Sequence, residues 1–67
     1  MEKYQGKYTD IMLEGAEEII AAGEDAVENL EGHLEEHLAN CKKFGRTPNQ
    51  DYVTSANEVI TILQQRS

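Results

Sequence analysis

Residues 19–28 read Ile-Ile-Ala-Ala-Gly-Glu-Asp-Ala-Val-Glu, and the architecture turns on how Gly23 at their centre is used. Two rows of residues spaced by seven pass through this segment. One is Leu13, Ile20, Val27, Leu34 and Cys41; the other, three places on, is Ala16, Gly23, Leu30, His37 and Phe44. They behave as the a and d positions of a heptad. The adjoining column, Met12, Ile19, Ala26 and His33, is largely apolar and widens the stripe to the breadth a helical bundle buries. The phase is kept across Gly23, and an interior glycine costs a helix only about 1 kcal/mol. The pattern therefore favours one unbroken amphipathic helix over residues 10–44, about 51 Å from Asp10 to Lys43. The alternative takes Gly23 as a C-cap and Asp25-Ala26-Val27-Glu28 as a capping box that opens a second helix, which gives a three-helix bundle.

Downstream the signals are simpler. Gly45 ends the helix after Lys42 and Lys43, whose charges suit a helix C-terminus. Residues 45–47 form a turn, with Thr47 as N-cap and Pro48 at the first position of a helix over 48–66. That helix carries Tyr52, Val53, Ala56, Val59, Ile60 and Leu63 on one face. Residues 1–9 show no period and read as irregular, with Thr9 or Asp10 capping the first helix. The fold class is all-α, in a single small domain over 1–67. A final helix of about 27 Å covers only part of a 51 Å partner. Such a hairpin leaves Ile11, Met12, Leu13, Ile19 and Ile20 bare and must oligomerise. The expected seam is Leu13, Ile20, Val27, Leu30, Leu34, His37 and Cys41.

Size points the same way. A chain of 67 residues buries only about 60% of its unfolded surface, and small domains offset this with disulfides, metals or self-association. Cys41 is the only cysteine, so no internal disulfide forms, and a lone thiol suggests a reducing, cytoplasmic setting. Met1 to Gly6 lacks the apolar run of a secretory signal, and Ile19-Ile20-Ala21-Ala22 is too short to span a bilayer, so no membrane partner is expected.

Charge is strongly segregated. From Tyr8 to Cys41, 34 residues include ten Asp or Glu and no Lys or Arg; all six cations lie outside. A net charge of −7 argues against binding duplex nucleic acid or anionic membranes, both of which recruit Lys and Arg. The column Asp10, Glu17, Glu24 and Glu31 lines one edge of the apolar stripe. An acidic flank built from Glu17, Glu24, Asp25, Glu28, Glu31 and Glu35 suits a basic protein surface.

Two other constellations stand out. His33, His37 and Cys41 sit at i, i+4 and i+8, and His33-Leu34-Glu35-Glu36-His37 matches the inverted zinc-protease pattern. The chain has no residues left for a further ligand and a cleft, so core packing accounts for them better, and neither a metal nor another cofactor is expected. If burial at a seam holds these imidazoles neutral, association weakens below about pH 6. Secondly, Lys42, Lys43, Arg46 and Thr47 precede a helix start, where free N–H groups favour anions. Lys3, Tyr4, Lys7 and Tyr8 return to that end in a three-helix bundle, forming a candidate site for a small anionic nucleotide.

No glycine-rich phosphate loop, Cys-x-x-Cys or nucleophilic serine setting is present, so an enzyme is not expected. The favoured expectation is a small acidic interaction protein that binds a basic partner stoichiometrically. Its class would be the phage or mobile-element inhibitors of host nucleases, polymerases or defence complexes, acting in the host cytoplasm. The alternatives are a binder that sequesters an anionic nucleotide signal and a purely structural helical oligomer.

Overall fold

The computed structural model describes residues 4–66, which form three helices: α1 (Thr9–Ala21), α2 (Ala26–Lys43) and α3 (Gln50–Arg66). The chain is all-α, and no strand occurs among the described residues. The unbroken helix over 10–44 is corrected: the chain reverses at Gly23. Gly23 sits at φ +83°, its N–H donates to the Ile20 carbonyl at 2.9 Å, and the Glu24 N–H donates to Ile19 at 3.1 Å. This pair of bonds satisfies the last carbonyls of α1 in a Schellman arrangement, which glycine accepts without steric cost. Asp25 then caps α2, its Oδ1 accepting the Glu28 N–H at 3.1 Å, worth about 1 kcal/mol. The three-helix alternative is the one the chain adopts.

Folding α1 back covers part of the exposed stripe within one chain: Leu13 is buried and Met12 and Ile19 are half-buried, while Ile11 and Ile20 stay exposed. Leu13 and Ala16 of α1, Ala26 and Leu30 of α2, and Val59, Ile60 and Leu63 of α3 form a common buried core. Tyr4, Met12, Ile19, Val27 and Ile62 pack around it half-buried. The apolar face anticipated for the last helix faces this core, with Tyr52 and Val53 half-buried at its open end. Burial inside one chain avoids the translational and rotational cost of recruiting a second copy, so it outcompetes a straight helix that needs a partner.

One further boundary moves. Gly45 (φ +67°) terminates α2 as anticipated, and the Arg46 N–H reaches the Cys41 carbonyl at 2.7 Å. Thr47, however, is not the cap of the last helix, and Pro48 is not its first residue. Asn49 takes the cap, its Oδ1 accepting the Tyr52 N–H at 3.2 Å. A proline disfavours helical geometry in the residue before it, and an asparagine side chain offers a strong cap one place later.

The start of α1 is capped from outside. Tyr8 occupies the N-cap position without a side-chain bond, and Thr9 lies inside the helix, fully buried. Instead Ser55 Oγ of α3 accepts the Tyr8 N–H at 2.8 Å. Glu58, one turn on, accepts the Gln5 N–H at 3.0 Å, the Gly6 N–H at 2.8 Å and the Thr9 hydroxyl at 2.6 Å. The anticipated irregular segment is thus tied to α3 by two side chains.

Candidate functional site

The break at Gly23 divides the acidic flank. Glu17 stays on α1, where its carboxylate lies 3.5 Å from the Arg66 guanidinium. Glu24, Asp25, Glu28, Glu31 and Glu35 fall on α2 or its entry, all exposed. Among the described residues Glu17–Arg66 is the one ion pair, so the α2 carboxylates have no counter-charge from those residues. Two grooves border the helix. One, of about 470 Å³, is lined by Glu24, Asp25, Glu28, Asn29, His33 and Glu36. The other is framed by Glu31 and Glu35 of α2 with Asn57 and Ile60 of α3. Glu36, Asn29 and Asn57 had no place in the anticipated flank; the helical spacing from Glu28 to Glu36 was the available signal for the first of them.

The expected oligomer seam is largely consumed within the chain. Leu13, Leu30 and Cys41 are buried, and Val27, Leu34 and His37 half-buried. Ile20 remains 49% exposed. It lines an apolar groove of about 530 Å³ where the end of α1, the start of α2 and the end of α3 meet.

His37 and Cys41 stay together, and His33 stands apart from them. His33 is exposed in the acidic groove. The Nε2 atom of His37 accepts the Asn49 N–H at 3.3 Å and lies 3.7 Å from Cys41 Sγ. The His37 ring stands edge-on to Tyr52, with centroids 4.8 Å apart. Among the described residues no three His, Cys, Asp or Glu side chains are placed to hold a metal ion. His37 instead ties α2 to the cap of α3.

At the basic end, Lys43 Nζ lies 5.5 Å from the Phe44 ring centroid and the Arg46 guanidinium 6.0 Å from it. Phe44 itself is 65% exposed. Lys7 lies over Tyr8 at 5.6 Å. Tyr8 is anchored at Ser55, about 8 Å along α3 from its first residue, so the two aromatic–cation clusters share one half of the bundle. Tyr4 packs against the core, and Lys3 lies outside the described residues. Thr47 and Asn49 border a cavity of about 490 Å³ with His37, Phe44 and Arg46. The α3 N–H groups are partly spent there: Asn49 N–H goes to His37, Tyr52 N–H is capped, and Asp51 adds a negative charge to the first turn.

Glu58 departs from the ordinary behaviour of a glutamate. The Thr9 hydroxyl, then the Gly6 and Gln5 N–H groups, stabilise the Glu58 carboxylate and hold its carboxyl below the usual glutamate value of 4.5. This group positions the N-terminal segment. No described helix is long and apolar enough to cross a membrane. No protein-family model, curated protein or solved structure matches the chain.

Proposed function

We propose that this chain is a non-enzymatic interaction protein that binds a basic protein surface through the acidic face of α2. The observation that carries this reading is the row Glu24, Asp25, Glu28, Glu31, Glu35 and Glu36, exposed and without an ion pair to any described residue. Like charges held along one rigid helix cost self-repulsion, and an arriving surface rich in Lys and Arg relieves it. Surfaces that hold nucleic acid have that chemistry, so occupying one would make the chain an inhibitor in the manner of small phage or mobile-element proteins. Glu17, paired with Arg66 on another helix, is left out of this surface.

The test uses purified nucleases and polymerases with basic nucleic-acid grooves, titrated with the chain in a calorimeter at about 0.1 M salt. One-to-one binding should occur with at least one of them. It should be lost in the triple variant Glu28→Lys, Glu31→Lys, Glu35→Lys while the helical circular dichroism is kept. Binding that survives the triple reversal would sink the reading.

The aromatic–cation cluster around Phe44 supports a second reading, an anion site for a small nucleotide at the Lys42–Thr47 end. Under it, Lys43→Ala with Arg46→Ala should abolish a nucleotide-dependent thermal shift that the α2 reversals leave intact.

A further inference from the structure

The two ends of α2 carry complementary halves of one contact. At its start is the apolar groove of about 530 Å³, with Ile20, Ala26, Val27 and Leu63 among its walls. Its rim carries Glu24 and Asp25, which pair with no cation among the described residues, and Arg66, which Glu17 already holds at 3.5 Å. At the other end Phe44 projects, 65% exposed, with the cations of Lys43 and Arg46 at 5.5 and 6.0 Å from its ring. An apolar knob with two cations beside its ring fits an apolar groove with a net acidic rim. The 18 residues of α2 hold the two about 27 Å apart, so Phe44 cannot reach the groove of its own chain.

We infer that the groove at the Gly23 turn receives Phe44 of a second copy of this chain, with Lys43 and Arg46 of that copy against Glu24 and Asp25. Each copy carries both halves, so two copies with their α2 helices antiparallel make the contact twice. The ring supplies the buried aromatic anchor typical of interface hot spots, and the charges supply register at the rim. Two such anchors bury less than the roughly 1,600 Å² of a standard stable interface, so association is weak and concentration-dependent. The inference does not rest on the proposed function, although both use Glu24 and Asp25. A basic partner covering those residues would therefore displace the second copy.

Sedimentation equilibrium of the full chain between about 10 µM and 1 mM reads the association directly. The average mass should rise from 7.5 kDa toward twice that value. Phe44→Ala, at an exposed site, should weaken association by about tenfold or more. The charge-reversed pair Glu24→Lys with Asp25→Lys should be monomeric alone, and so should Lys43→Glu with Arg46→Glu. Mixing the two should restore the dimer. A wild-type mass fixed at 7.5 kDa up to 1 mM would overturn the inference. Association indifferent to Phe44→Ala, or a mixture of the two charge variants that stays monomeric, would overturn it equally.

Discussion

Glu58 of α3 clasps the N-terminal segment. Its carboxylate gathers three donors from residues 5–9 and so fixes, from across the bundle, the segment that leads into α1. Those donors favour the charged form, so the folded pKa lies below 4.5. The folded state then binds fewer protons than the unfolded one in this range. The stabilisation is fully present above about pH 4.5 and is lost as pH falls through the lower folded value. Thermal melts should therefore show Glu58→Gln less stable than wild type at pH 7, with the gap narrowing toward pH 3. A gap that stays constant with pH would mean the carboxylate's charge is not what holds the segment. Gly6 sets the close approach: a β-carbon there would stand 2.6 Å from the Ser55 α-carbon. Gly6→Ala should cost about 1–3 kcal/mol in urea unfolding, as overpacking does. None of this clasp was legible in sequence. Residues 1–9 have no period, and the bonds join positions some fifty residues apart. The one hint was Ser55, a small polar residue inside the apolar face of the last helix.

At the scale of the elements, the glycines discriminate between the two architectures the sequence allowed. Gly15 and Gly32 lie inside helices, with open space where a β-carbon would go. Replacing either with Ala should stabilise the chain by about 0.5–1 kcal/mol. Gly23 also has open space, but at φ +83°. An L side chain there is strained by roughly 1–2 kcal/mol, so Gly23→Ala should destabilise. In an unbroken helix Gly23→Ala would stabilise like the other two, and chemical denaturation of the three variants reads the sign directly. Much of the element structure was legible: the helical class, the Asp25 cap, the Gly45 stop and the core face of α3. The heptad misled because a stripe on α1 and a stripe on α2 both have to meet α3. Two helices facing the same third helix each need an apolar face, and here the four residues between them happen to keep the count in phase. Periodicity reports which face is buried and says nothing about what buries it.

Over the whole molecule, a net charge of −7 stands beside a single internal ion pair among the described residues. That imbalance fixes the sign of two salt effects. An exposed pair such as Glu17–Arg66 is worth at most about 1 kcal/mol, so screening it loses little. The carboxylates on and beside α2 repel one another along the helix, and screening them is a gain to the folded state. Raising NaCl from about 10 mM, where the Debye length is near 30 Å, to about 0.5 M should therefore raise the melting temperature of a dilute, monomeric sample by a few degrees. The same screening weakens any contact that joins the acidic face of α2 to cations, whether they come from a basic partner or from Lys43 and Arg46 of a second copy. Stability and association should thus move in opposite directions across one salt series, followed by calorimetric melting and by sedimentation. A melting temperature that falls with salt would mean that ion pairing within the chain outweighs repulsion, leaving the α2 carboxylates no electrostatic reason to seek a partner.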